Sequence, residues 1–223
     1  MKNSSKKITS FHLEILDVKR RQMLTSLAFL KDSFHFYLAG GTALALQLGH
    51  RTSLDFDFYS QEEFSEKHLL PHFDKYFRRP QWTLIQSGQG TLIINVREIE
   101  LSFFYYGYNM LRPCVEVEGV LLASKEDIAA MKLIAIIQRG NMRDFIDMYF
   151  LLKEFSLEKI FEYTKKKFPS FNIYLGLRAL VYFDEAGEPK NQRFQLLMPI
   201  SWDIIQEEIT TKVCQFKKRV LKG

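Results

Sequence analysis

The hydrophobic pattern divides the chain near Ser124. Before it, apolar residues mostly alternate; after it they recur every three or four positions. The first stretch is an exception. Over residues 9–31, Leu13, Leu16, Met23, Leu24, Leu27 and Phe29 fall at helical spacing and predict one long N-terminal helix. Residues 34–39 read as a strand, Gly40 and Gly41 as a turn, and residues 42–48 as a short helix. The next strand alternates cleanly. Leu54, Phe56 and Phe58 face one way, while Asp55 and Asp57 face the other. Residues 61–77 look helical, with Pro71 as a break or kink. Strands follow at 81–86, 91–96 and 98–106, and a β pattern continues over 113–122. These make a mixed sheet of five or six strands.

From Ser124 the chain is helical. Ser124 and Asp127 form a capping pair ahead of an apolar run that stops at Gly140-Asn141. A second helix covers 142–155, a third starts after Ser156, and a fourth covers 172–185. Residues 187–199, with two prolines, read as a long loop, and 202–221 as a basic amphipathic helix. The expected class is therefore α+β: a strand-rich lobe over residues 1–123 and a helical lobe over 124–223.

Candidate chemistry concentrates in LAGGTALALQLGHRTSLDFDFYS, Leu38 to Ser60. Asp55 and Asp57 are about 6.6 Å apart along a strand, on one face. Such carboxylates repel unless a cation lies between them, and oxygen ligands suit a hard ion such as Mg²⁺. Gly40 and Gly41 let a phosphate approach the backbone. The first amides of the following helix can donate to an anion. Phosphate turn and carboxylate pair together suggest a nucleoside triphosphate site. Glu100, on a later strand, is either a third metal ligand or a surface acid. In the helical half, Lys132 sits within an apolar run and needs an anionic partner. Arg139 lies seven residues on, hence on the same face, and Arg143, Asp144 and Asp147 follow. One reading is a salt-bridge network between two helices, with Arg143 and Asp147 paired at i,i+4. The other has Lys132 and Arg139 bind the triphosphate, with Asp144 orienting Lys132 or acting on the nucleophile.

These two motifs, GGTALALQLGHRTSLDFDFYS and SKEDIAAMKLIAIIQRGNMRDFIDMYFL, resemble the AbiEii/AbiGii toxin family of nucleotidyltransferases, which are similar to DNA polymerase β-type enzymes. The resemblance spans roughly residues 37–153 and carries no motif into the last ~70. It implies a nucleotidyltransferase lobe joined to a helical lobe. It also implies Gly41 and Thr42 at the phosphates, Asp55 and Asp57 on Mg²⁺, Lys132 in a second motif, and Asp144 with the preceding basic residue in a third. Thr42 stands where many members have serine, and both supply a hydroxyl. The implied activity is nucleotide transfer from an NTP to RNA, with tRNA as a candidate acceptor, by the toxin of a bacterial toxin–antitoxin pair. The alternative is a nucleotide-binding or partner-binding module with an inactive site.

Charge and composition change this picture little. Net charge is +5, with clusters at Lys19-Arg20-Arg21, Arg78-Arg79, Lys165-Lys166-Lys167 and Lys217-Lys218-Arg219, compatible with a polyanionic partner. No apolar run approaches the ~20 residues that span a bilayer, and the N-terminus lacks a signal-peptide core. Cys114 and Cys214 fit no metal spacing and are expected as free thiols in a reducing cytosol. His68 and His72, four apart, have Pro71 between them and no acidic partner nearby, which argues against a metal pair. An Asp-x-Asp phosphatase of the HAD type needs an apolar strand before its first aspartate, and here GHRTS precedes it. A glycosyltransferase needs an upstream nucleotide-binding unit for which the chain has no room.

Overall fold

A computed structural model describes residues 11–77, 80–187 and 194–220. The Arg78-Arg79 cluster, the start of the expected N-terminal helix and the middle of the 187–199 loop lie outside them.

The long N-terminal helix is not continuous. A single 3-10 turn (Leu13–Ile15) precedes α1 (Val18–Ser26) and α2 (Phe29–Phe34). Asp17 explains the first break: its side chain accepts from the Arg20 amide and caps α1. His35, at φ 52°, ends α2 in the left-handed conformation. The apolar spacing was helical on both sides of the breaks, so periodicity alone ran the pieces together.

Among the described residues, seven strands form one mixed sheet, one or two more than the pattern suggested. They are β1 (Tyr37–Leu38), β2 (Phe56–Ser60), β3 (Trp82–Gly88), β4 (Thr91–Val96), β5 (Ile99–Tyr105), β6 (Val115–Val117) and β7 (Val120–Leu122). Their order is β3-β4-β5-β2-β1-β7-β6. The extra strand arises because residues 113–122 fold back as a hairpin at Glu118 and Gly119, both at positive φ. β2 is central, parallel to β5 and antiparallel to β1. Its Phe56 and Phe58 are fully buried, and Phe58 stacks on Phe103 of β5. That leaves the opposite face of β2 free to carry Asp57 and Tyr59.

Two helices lie among the strands: α3 (Gly40–Leu48), and α4 (Glu66–Tyr76), which continues through Pro71. His72 stacks on Phe29 and meets Phe34 edge-on, so its ring is part of an aromatic cluster. The helical half comprises α5 (Lys125–Gln138), α6 (Met142–Glu154), α7 (Leu157–Lys167), α8 (Ile173–Ala179) and α9 (Trp202–Val220). Ser124 caps α5 as expected. Asp127 does more than complete that cap. It is fully buried and accepts from the Leu111 and Arg112 amides, Ser124 Oγ and Lys167 Nζ. It thus ties residues 109–112 to α5 and α7. Helices α5 and α6 pack against α3, so the second half of the chain closes over the helix that follows the glycines. Among the described residues, no helix is long and apolar enough to cross a membrane.

Candidate active site

The glycine pair opens α3 rather than preceding it. Gly40 takes φ +64°, and a Cβ there would stand 3.1 Å from Asp57 Oδ2. A Cβ on Gly41 would meet Arg51 Nη2 at 2.2 Å. Gly40 is thus favoured by its left-handed backbone as well as by a tight neighbour, and Gly41 by the close approach of Arg51 alone. No side chain caps the N-terminus of α3, so its first amides are available to an anion.

Thr42, expected at the phosphates, lines the same cleft as the glycines, with its hydroxyl engaged by the protein. The residue is buried, and its Oγ1 hydrogen-bonds the Asp55 carbonyl and Ser53 Oγ. It fastens α3 to the chain just ahead of β2. Asp55 precedes β2 and Asp57 lies within it, and both line a cleft of about 360 Å³. Burial pushes the Asp57 carboxyl up, and the neighbouring Asp55 adds to this, while Lys132 pulls it down. Glu100, from β5, reaches the same cleft. Among the described residues, no three His, Cys, Asp or Glu side chains form a group that could hold a metal unaided.

The opposite wall comes from α5 and α6. Lys132 is buried and its Nζ lies 2.9 Å from Asp144 Oδ1 and 2.6 Å from Asp147 Oδ2. Arg139 reaches Asp144 through Nε at 3.0 Å and Nη2 at 3.2 Å. Lys132, Arg139 and Asp144 therefore do meet. Asp147 is not paired with Arg143 at i,i+4. It faces inward, fully buried, and receives Arg51 Nε at 2.7 Å, Arg51 Nη2 at 2.9 Å and His50 Nε2 at 2.8 Å. Arg143 stays exposed at the cleft rim. The i,i+4 rule describes surface pairs; a fully enclosed partner at the right geometry outcompetes a solvated one.

Arg51 and His50 are the residues that sequence reasoning missed. Arg51 is 2% exposed, spans from Asp147 to the Thr52 carbonyl, and lies against Gly41. Residues 194–198 cross back over it: Phe194 covers the guanidinium at 5.6 Å, and Leu196 bridges to Arg51. In the sequence Arg51 reads as a loop charge, and its partner lies 96 residues away. Burial opposes the charge on Asp147, but Arg51 and Lys132 outweigh it and hold that carboxyl well below the usual range. Asp144 is held down in the same way by Lys132 and Arg139. Burial pushes His50 down, so its imidazole is neutral at pH 7. The remaining end of the cleft is aromatic. Tyr59 packs on Phe104 and Tyr106, with both ring separations at 5.3 Å.

Comparison with known proteins gives the family and the fold. The family described as nucleotidyl transferase AbiEii toxin, type IV toxin–antitoxin system, matches residues 22–211. The chain belongs to the AbiEii nucleotidyltransferase toxin family. An uncharacterized protein of Aquifex aeolicus (strain VF5), aq_aa25, is 34% identical over 207 residues, 90% of this chain and 97% of its own. JHP933 from Helicobacter pylori has a similar fold, with a TM-score of 0.60 at 19% identity over 91% of this chain and 92% of that one. MenT4, a nucleotidyltransferase toxin from Mycobacterium tuberculosis H37Rv, gives a TM-score of 0.57 at 14% identity over 86% and 80%. The AbiEii match extends well past residue 153, where the sequence motifs ran out, and takes in most of the helical half.

Proposed function

We propose that this AbiEii-family nucleotidyltransferase transfers a nucleotide from an NTP to an RNA acceptor, with tRNA the leading candidate, using Mg²⁺. One observation carries the reading. Asp55 and Asp57, the uncapped start of α3 and the Lys132–Arg139 wall all line one cleft. In the reaction an acceptor hydroxyl oxygen bonds to the α-phosphorus, the α–β bridging P–O bond breaks, and pyrophosphate leaves with the electron pair. The hydroxyl proton passes to solvent.

The donor set fits magnesium, which typically takes one or two carboxylates together with substrate phosphates. Asp55 and Asp57 would hold it, with Glu100 near enough to add charge. When bound, the ion supplies charge neutralisation at the α-phosphate and a lowered pKa for the attacking hydroxyl. The α3 amides bind phosphate oxygens, which Gly40 and Gly41 leave uncovered. Lys132 has three donors. Asp144 and Asp147 take two, and the third is left for the departing pyrophosphate. Asp144 has both oxygens engaged and its carboxyl held low, so its role is to position Lys132 and Arg139, not to take a proton. Tyr59, Phe104 and Tyr106 offer aromatic rings for the base to pack on. As a member of a toxin family of type IV systems, the chain is expected to have a cognate antitoxin.

The test is incubation with Mg²⁺, each labelled NTP and total RNA, beside Asp57→Asn. The expected result is label on RNA with the parent protein and a loss of at least a hundredfold with the variant. Equal labelling by both proteins would remove the catalytic assignment.

A further inference from the structure

Among the described residues, several members of the basic clusters that suggested a polyanionic partner are engaged within the molecule. Lys19 pairs with Glu98, Arg20 with Asp17 and the Leu54 carbonyl, and Lys167 with Asp127 in full burial. Acceptor binding must be sought elsewhere, and the cleft's own rims differ. The β5 rim carries Glu100, which repels phosphate. The α5–α6 rim carries Arg139 and Arg143. A second groove of about 350 Å³ continues from that cationic rim, between the end of α5 and α8. Gln138 and Arg139 line both spaces.

The α8 side of the groove presents Leu175, Arg178, Ala179 and Tyr182. Leu175 is 50% exposed and Tyr182 49% exposed. Tyr174, one turn before Arg178, is 83% exposed. On α8 and just beyond its end these side chains make an exposed patch of the kind that marks an interaction site. Aromatic faces beside an arginine suit unpaired bases, whose π-faces are open; a duplex hides those faces and offers only backbone. Duplex binding also calls for a broad array of cations, whereas this groove has Arg139 and Arg178 against Glu185.

We infer that the α5–α8 groove binds the single-stranded 3′ segment of the RNA acceptor and leads its terminal hydroxyl past Gln138 and Arg139 to Asp55 and Asp57. This rests on the nucleotidyl-transfer reading for its direction, yet binding can be measured without turnover. Tyr182 stacks on a base, and Arg178 contacts a phosphate.

The experiment measures fluorescence anisotropy of a labelled ten-nucleotide single-stranded oligoribonucleotide and of a ten-base-pair RNA duplex. It uses the full chain, Tyr182→Ala and Arg178→Ala, and NTP affinity is measured on the same preparations. Expected results are about tenfold weaker oligonucleotide binding for Tyr182→Ala. Arg178→Ala should lower the slope of log affinity against log salt by about 0.7. NTP affinity should stay at the parent value, which also reports that both variants fold. Unchanged oligonucleotide binding in both variants would overturn the inference and leave the groove as a surface for a protein partner. Duplex binding at least as tight as single-strand binding would overturn it too. The two readings fail separately. Transfer with no groove effect removes only the groove; groove-dependent binding with no label transfer removes only the chemistry.

Discussion

Replacing Asp147 by asparagine removes one negative charge from a sealed cluster. In the parent protein, Arg51, Lys132 and Arg139 face Asp144 and Asp147, three cations against two carboxylates. Asp147 alone receives four of the contacts, at 2.6–2.9 Å, and is wholly buried. The substitution takes from Arg51 the carboxylate it grips, at a position only 2% exposed. Breaking a buried pair from one side costs about 3–5 kcal/mol. For a chain of this size that corresponds to a fall in Tm of roughly 6–20 °C. Glu162→Gln, at the exposed Lys159–Glu162 pair, serves as the control and should not move Tm measurably.

The pH dependence follows from the sign of the shift. The folded Asp147 carboxyl is depressed, so the unfolded chain takes up its proton first as pH falls. Its contribution is complete above the unfolded value of about 4. It is lost as pH drops from there toward the depressed folded value. The Tm gap between parent and Asp147→Asn should hold level from pH 8 to pH 5 and narrow only in stronger acid. Calorimetry across that range is the assay. A gap under 2 °C at pH 7, or one that closes between pH 8 and pH 6, would refute the electrostatic account.

Other outcomes follow from neighbouring contacts. Gly41→Ala drives a methyl into the held Arg51 guanidinium, and NTP affinity should drop more than tenfold with a Tm loss of several degrees. Gly40→Ala adds strain of about 1–2 kcal/mol from its left-handed φ, read as a smaller Tm loss in urea or heat melts. Asp57→Asn should raise Tm in metal-free buffer, because burial and Asp55 disfavour the ionised carboxyl there, while abolishing any Mg²⁺-dependent shift in Tm. Lys167→Met leaves Asp127 buried without its cation, and hydrogen exchange at the Leu111 and Arg112 amides should quicken.

What the sequence revealed and what it concealed divide along physical lines. Asp55, Asp57 and the glycines were legible because their spacing is local and their chemistry is set by strand period and backbone freedom. Lys132 was legible because a lysine within an apolar run has few ways to be satisfied. The seventh strand was concealed because β6 and β7 are three residues each, too short to show two periods. The first break in the N-terminal helix depended on one cap at Asp17, whose effect on periodicity is nil. Arg51 was concealed most completely. It follows Gly49 and His50 in what reads as a polar loop, and nothing within ten residues announces Asp147 or the covering Phe194.

That concealed residue explains why the two halves of the chain work as one site. The first half supplies a wall of carboxylates, Asp55, Asp57 and Glu100; the second supplies Lys132, Arg139 and Arg143. A nucleotide bound with a divalent ion is itself two-faced, cationic at the metal and anionic along the phosphates. Such a ligand fits between walls of opposite sign only if their separation is held, since each wall alone would collapse toward the other or fill with counterions. Arg51 holds it. Its guanidinium lies against Gly41 at the start of α3 and grips Asp147 on α6, and Asp147 in turn holds Lys132. A shift of α6 relative to α3 would have to break charge-assisted bonds sealed from water. The spacing between the Gly40-Gly41 turn and Lys132 is thereby fixed by one side chain, Arg51.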